Sequence, residues 1–241
     1  MSQVKLGDKN IPFIYQGNQL LYPNTIKDGL VLYFDFKGMN NNQVTKSIAK
    51  DLSGKGNNGT LRNFAYTNQS GYDDGLRFDN VDDEIGLDLE LKQSFTISHT
   101  IDIDLSKEVQ FFNAFSISGF YLRRNYNALH CSVYTDKNIS STSGGNQFFY
   151  NLTQNNKTKA VVTMVVNGTN KTVTLYGNGD KLATTDTVTS VSDVKLTKLG
   201  RWLSGSQNLS GKLLSTQVYN KALTDQEIQQ NYKLEKERWG L

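Results

Sequence analysis

The closing stretch of the chain constrains the rest most. Residues 211–219 alternate as a strand, with Leu214, Thr216 and Val218 predicted on one face and Leu213, Ser215, Gln217 and Tyr219 on the other. Asn220-Lys-Ala-Leu223 breaks that period. Thr224-Asp-Gln-Glu227 then has the form of a capping box: the Thr224 hydroxyl accepts from the Glu227 amide, and the Glu227 carboxylate accepts from Thr224 N–H. Asp225 and Glu227 also occupy the first turn, where the helix dipole favours negative charge. The pattern predicts a helix to about Glu237 with Ile228 and Tyr232 on its buried side. No other stretch predicts a helix, so one small helix is expected to lie against an all-β body.

That body is written in short alternating runs. Strands are predicted over 30–36, 60–65, 76–79, 84–88, 95–103, 115–122, 128–134, 159–166, 172–176, 181–187 and 194–199, separated by glycine and asparagine turns. Abundant Asn, Ser, Thr, Gly and Tyr with only two prolines suits strands joined by tight polar turns. In Phe95-Thr-Ile-Ser-His-Thr-Ile-Asp-Ile103, His99 shares the face of Phe95, Ile97, Ile101 and Ile103, which predicts a core histidine rather than a catalyst. Phe111-Phe112, Phe115 and Phe148-Phe149-Tyr150 read as core or subunit interface. The fold class is all-β, a jelly-roll sandwich with one C-terminal helix.

Two echoing units open the chain. Val4–Ile11 and Ile14–Leu21 each place a turn dipeptide, Gly7-Asp8 or Gly17-Asn18, between strand-like flanks, so each predicts a β-hairpin. Such hairpins bury too little to stand alone. Residues 1–28 are therefore assigned to an anchoring or oligomerisation module with its linker, and residues 29–241 to the sandwich.

Several classes are excluded by what is missing. At 241 residues the chain is long enough for a sizeable core without staples, and its single cysteine, Cys131, has no internal disulfide partner. No zinc-type Cys/His spacing occurs, and no apolar run approaches the ~18 residues of a membrane span. The opening MSQVKLGDKN lacks the features of a signal peptide, so export is not expected. A net charge of +3 with scattered Lys and Arg does not point to nucleic acid. No phosphate-binding loop, nucleophile elbow or Cys/His dyad is present.

Three segments together carry a family likeness: Asp51-Leu-Ser-Gly-Lys-Gly-Asn-Asn-Gly-Thr-Leu61; Leu76–Ile85 with Ser94-Phe-Thr-Ile97; and 211–232 with its strand and capped helix. In order and spacing they resemble laminin-G-like domains of the concanavalin A type, over about residues 29–235. The N-terminal repeat, ending Gln19-Leu-Leu-Tyr-Pro23, resembles leader modules on structural proteins of tailed phages of Gram-positive bacteria. These resemblances imply a virion protein assembled in the bacterial host cytoplasm: a head fibre, tail fibre or baseplate appendage. They imply contacts to other virion proteins through the N-terminal module, and a homo-oligomer of the trimeric kind usual in fibres.

Carbohydrate binding needs aromatic platforms and planar hydrogen-bonding groups on a loop rim or concave face. The candidates are Tyr121, Arg123 and Tyr126 in one region, and Arg201 with Trp202 ahead of the loop Leu203-Ser-Gly-Ser-Gln-Asn208. Some jelly-roll relatives are β-glycanases with Glu-x-Asp-x-x-Glu or a bulged form of it. Asp102-Ile-Asp104-Leu-Ser-Lys-Glu108 resembles the bulged spacing but has the shorter Asp102 at the nucleophile position, and no catalytic residue is assigned. The resemblance also allows a rim calcium. The acidic pairs Asp73-Asp74 and Asp82-Asp83 lack alternating ligand spacing and read as turn residues, so no cofactor is expected. The expected function is a phage structural protein that contacts host cell-wall glycans, with a ligand-free decoration protein and a β-glycanase-like hydrolase as alternatives.

Overall fold

The computed structural model describes residues 26–42, 45–116, 120–134, 139–144, 147–185, 193–202 and 207–241, and the backbone of four strands between residues 5 and 22. At the N-terminus β1 (Lys5–Leu6) pairs with β2 (Lys9–Asn10), and β3 (Ile14–Gln16) with β4 (Gln19–Tyr22), both antiparallel. The two expected hairpins are thus present as strand pairs. Their turn dipeptides, and linker residues 23–25, lie outside the described residues.

From Leu30 onward two antiparallel sheets face one another. Sheet I contains β5 (Leu30–Asp35), β8 (Gly71–Tyr72), β9 (Leu76–Asp79), β11 (Phe95–Ile103), β16 (Lys159–Asn167), β17 (Thr172–Gly177), β18 (Asp180–Thr185) and β20 (Ser210–Tyr219). Its order is β18-β17-β16-β11-β20-β9-β8, with β5 also paired to β20. Sheet II contains β6 (Ile48–Ala49), β7 (Gly59–Arg62), β10 (Glu84–Leu91), β12 (Val109–Phe115), β13 (Tyr121–Asn125), β14 (Ala128–Tyr134), β15 (Ile139–Gly144) and β19 (Val194–Leu199), in the order β15-β14-β13-β12-β19-β10-β7-β6.

The core is the layer between the sheets. Phe95, Ile97, Ile101 and Ile103 of β11 meet Phe112, Phe115, Leu122 and Leu129 of sheet II, all essentially inaccessible. Each such side chain contributes about 1.5–3 kcal/mol on burial. His99 sits in this layer as its alternation predicts. Its Nδ1 lies 3.0 Å from Thr216 Oγ1 and its Nε2 3.1 Å from Asn113 Oδ1. Burial pushes its pKa down to about 4, so it bridges the sheets as a neutral ring.

Asp51 organises the turn after β5. Its carboxylate accepts from Tyr33 N (3.0 Å), Ser53 N (2.8 Å), Ser53 Oγ (2.8 Å) and Asn57 N (2.9 Å). One buried carboxylate thus gathers four donors of the turn.

The closing helix α2 (Asp225–Trp239) carries the predicted capping box and ends on Gly240 in the left-handed region (φ 65°). It runs one turn's edge further than expected, and its buried residues are Ile228, Asn231, Glu235 and Trp239, with Tyr232 only half-buried. It roofs the outer face of sheet I, so both faces of β11 and β20 are buried. A β-bulge between Thr100 and Ile101 pairs Thr100 with Ser215 and Ile101 with Leu213, leaving Leu214 unpaired on β20. Leu213 therefore joins the core, against the plain alternation read from sequence.

Two other expectations change. Residues 115–122 are not one strand: β12 ends at Phe115 and β13 begins at Tyr121, with Phe115 and Phe120 packed edge-to-face at 4.3 Å across the turn. A second helix, α1 (Phe148–Gln154), holds the Phe148-Phe149-Tyr150 run. It buries Phe149 and Leu152 and leaves Tyr150 exposed. Among the described residues no helix is long and apolar enough to cross a membrane.

Candidate functional site

Among the described residues no helix roofs the outer face of sheet II, and most of the sequence-predicted site residues meet there. The register places Phe111 of β12 opposite Arg123 of β13, and Arg123 opposite His130 of β14. These three side chains lie in one cross-strand row pointing away from the core, because Phe112, Leu122, Leu129 and Cys131 take the alternate, inward positions. Tyr121 stands two residues along from Arg123 on the same face.

Trp202 arrives from beyond β19 and lies over Phe111, stacked at 4.5 Å with the rings 23° apart. Tyr121 presents its edge to Trp202 (5.1 Å, 88°) and packs edge-on against Phe111 (5.1 Å, 79°). The Arg123 guanidinium sits over Tyr121 at 4.9 Å and over Phe111 at 5.2 Å. His130 stacks on the far side of Tyr121 at 5.6 Å. Burial, and secondarily the Arg123 charge, push the His130 pKa down to about 4, so its ring is neutral at physiological pH. Among the described residues Arg123 has no carboxylate partner. The result is an aromatic stack on a buried Phe111, with Trp202, Tyr121 and His130 half-buried and a guanidinium at its edge, the combination of flat apolar surface and planar donors that engages sugar rings.

Arg201 and Tyr126 are not part of this stack. Arg201 turns to the adjacent edge, where Nη1 donates to the Asp82 carbonyl (3.3 Å) and to Glu84 Oε2 (3.4 Å). Tyr126 occupies the β13–β14 turn at φ 54° with its side chain 57% exposed. It is five residues from Tyr121, about 16 Å along a strand. Phe111 and His130 were missed by sequence reasoning. Their signal is the face they occupy: each is opposite in phase to a neighbouring core residue, Phe112 or Leu129.

The acidic groups divide by environment. Asp73 pairs with Arg77 (3.1 Å) and Lys212 (2.8 Å), and Asp74 with Lys37 (3.2 Å). Asp79, Asp82 and Asp83 come within 4.8 Å of one another. Asp83 is committed to Ser70 Oγ (3.0 Å) and Asp79 N (3.0 Å), and burial raises its pKa to about 6. Asp104 closes its own turn, accepting from Ser106 N (2.9 Å) and Ser106 Oγ (2.7 Å), while Glu108 is exposed. Asp79, Asp102 and Asp104 line a cavity of about 320 Å³ at the ends of β9, β11 and β20. A larger cleft of about 530 Å³ lies between α1 and the β17–β18 turn, with Gln147, Asn151, Asn155 and Asn178 on its walls beside Phe148.

Residues 70–229 match the family model for the concanavalin A-like lectin/glucanases superfamily. The chain belongs to that superfamily. Solved structures agree in fold. The binding domain of botulinum neurotoxin serotype D superimposes with a TM-score of 0.62 at 16% identity, covering 86% of this chain and 51% of that one. The same serotype's ligand-binding domain in complex with N-acetylneuraminic acid gives 0.62 at 17% identity, over 86% and 51%. Trypanosoma rangeli sialidase in complex with 2,3-difluorosialic acid gives 0.59 at 15% identity, over 88% and 33%. This superfamily member thus spans about half the length of the toxin domains and a third of the sialidase. A comparison with curated proteins finds no match.

Proposed function

We propose that this chain is a non-enzymatic, glycan-binding domain displayed on a phage particle, with Trp202, Tyr121 and Arg123, supported from beneath by the buried Phe111, as its binding surface. The observation that carries the glycan-binding part is the Trp202–Phe111 stack at 4.5 Å with the Arg123 guanidinium, which has no carboxylate partner among the described residues, over the neighbouring Tyr121 ring. Trp202 covers Phe111 with one face, and the part of its half-buried ring left outward, beside Tyr121 and Arg123, is suited to a sugar face. Structural neighbours solved with sialic acid ligands support the class of ligand. The paired N-terminal strands support attachment of the sandwich to other virion proteins, in a symmetric oligomer.

Glycan-array binding of the full chain tests the surface. Trp202→Ala is expected to weaken retention on the order of tenfold, as removal of an aromatic anchor does at other binding surfaces. A folded Trp202→Ala protein that binds like the wild type would sink the assignment, and a wild type that retains no glycan leaves a purely architectural decoration. The hydrolase alternative requires release of reducing ends from β-glucans that disappears in Glu108→Gln. Particle reconstruction tests display: density for this chain at a head fibre, tail fibre or baseplate position is expected, and particles from which it is absent would refute it.

A further inference from the structure

Next to the aromatic platform, the same outer face of sheet II carries a cluster of cations around one sunken carboxylate. Glu84 of β10 is 4% exposed in its side chain and is reached by Lys198 Nζ (2.7 Å), Arg62 Nη1 (3.0 Å) and Arg201 Nη1 (3.4 Å). Burial opposes its ionisation, but Lys198 and Arg62 hold its carboxyl below the usual range, so it is charged. One negative charge faces three positive ones. The cations, at 24%, 56% and 31% exposure, are what solvent meets. Arg62 is laid flat over Gly86, where an added Cβ would come within 2.8 Å of its Cζ. The side chain is thereby preorganised rather than waving in solvent.

Strand order joins this cluster to the platform. Arg123 lies on β13, Phe111 on β12, Lys198 on β19, Glu84 on β10 and Arg62 on β7, five consecutive strands. At ~4.8 Å per strand the array spans roughly 19 Å, the reach of a short oligosaccharide. Arg201 and Trp202 are chain neighbours and tie the halves together. Another oppositely charged pair at this sheet, Lys195 with Asp88 at 2.9 Å, is already neutral. Stacking alone is indifferent to charge. A cluster beside it with two positive charges in excess of Glu84 is not, because Arg and Lys bind carboxylate and phosphate oxygens through charge-assisted hydrogen bonds.

We infer that the ligand of this face is an acidic saccharide, bound with its rings on the Trp202 platform and its carboxylate or phosphate group on Arg62, Lys198, Arg201 and Arg123. The inference rests on the glycan-binding reading and adds the charge of the ligand to it. Glu84 acts as a resident competitor that holds the cations in place until a stronger anion engages them.

The test is equilibrium binding of the full chain to sialyllactose (carboxylated), a glycerol-phosphate polymer (phosphorylated) and lactose and dextran (neutral), each over a range of salt. Preference for one or both acidic probes is expected, falling steeply with salt. Which acidic arm binds distinguishes the two anion sources. Lys198→Gln and Arg62→Gln, which leave Glu84 two cationic partners each, are expected to lower the acidic-to-neutral affinity ratio on the order of tenfold. Glu84→Gln is expected to raise that ratio, an increase that a merely structural carboxylate would not give. Melting temperatures taken in parallel separate loss of fold from loss of binding. Equal binding of neutral and acidic probes, or a ratio unmoved by all three substitutions, would overturn the inference while leaving the glycan-binding reading intact. Absence of binding to every probe would remove both.

Discussion

Replacing Glu235 separates two effects that its burial combines. The carboxylate lies under α2 against the outer face of sheet I, where Oε2 accepts from the Thr100 hydroxyl (2.7 Å) and the Ser215 hydroxyl (2.6 Å), and Oε1 accepts from the Gln217 amide (3.2 Å). Glu235→Ala leaves these three buried donors without their acceptor, at about 1–3 kcal/mol for each unsatisfied group. Ser215 and Thr100 are 2.8 Å apart and can still pair with each other. The net loss is then about 3–4 kcal/mol, a large share of the ~5–15 kcal/mol that holds a domain together. Glu235→Gln keeps an acceptor and discards the charge, so it should cost much less. The pH dependence has a definite sign. Burial raises the Glu235 carboxyl, and burial with the Glu235 charge raises Asp35 to about 7, against the adjoining Arg238 guanidinium. A group whose folded pKa is raised stabilises fully below its unfolded value, near 4, and loses that contribution as pH rises through the folded one. The wild type should therefore lose stability as pH rises from about 4 through about 7, and Glu235→Gln should lose less. Urea unfolding followed by tryptophan fluorescence across that range measures both effects. Equal destabilisation by Ala and Gln, or an unchanged pH slope in Glu235→Gln, would refute the reasoning.

The remaining predictions concern other parts of the sandwich. Asp51→Ala removes the acceptor of four turn hydrogen bonds and should cost about 2–4 kcal/mol in the same urea assay, with Asp51→Asn intermediate. Gly200→Ala should cost at least ~2 kcal/mol, because the residue is at φ 80° and the new methyl would run into the Phe78 ring. His99, with its pKa depressed to about 4, gives the opposite limb to Glu235: its contribution is present above ~6.5 and lost as pH falls through 4. His99→Gln should remove that limb from the stability profile, and a dependence on pH between 7 and 4 that is the same in His99→Gln as in the wild type would contradict that assignment.

Where sequence alone was informative, one side chain's chemistry decided the local structure. The Thr224–Glu227 capping box fixes its helix start through reciprocal backbone bonds, and the nine-residue alternation from Phe95 fixes which face of β11 is core. The family segments around Asp51, Leu76–Ile85 and 211–232 are likewise local, and they placed the fold. What was not legible depends on neighbours distant in the chain. Phe148-Phe149-Tyr150 has no capping residue, since Gln147 makes no side-chain cap bond, and α1 forms because Phe149 and Leu152 find a core to fill. The slip at Leu214 answers a bulge against β11, and nothing in Gly211–Tyr219 announces it. For the site, residue type singled out Trp202, Tyr121 and Arg123, but not that Phe111 would lie beneath Trp202. Arg201 looked equivalent to Arg123 and is not, because a buried Glu84 stands next to it alone.

The two outer faces of the sandwich differ in a way that bears on where a ligand can go. On sheet I the exposed-face positions of β11 and β20 carry Thr100, Ser215 and Gln217, and α2 answers them with Glu235 and Asn231, while Tyr219, Leu223 and Ile228 form a small second core beneath it. That face is sealed by its own helix, and its polar groups are satisfied internally. On sheet II the corresponding positions carry Phe111, Tyr121, Arg123, His130, Lys198 and Arg62, and no helix of the described residues covers them. Phe111 is buried beneath Trp202 and Glu84 beneath its cations, which serves folding, but the outward parts of Trp202, Tyr121, Arg123, Lys198 and Arg62 gain less at a solvent boundary, where exposed ion pairs contribute ~0–1 kcal/mol. Their shared orientation is better accounted for by a ligand than by folding, and the ligand that suits both halves of the face is flat, polar and negatively charged.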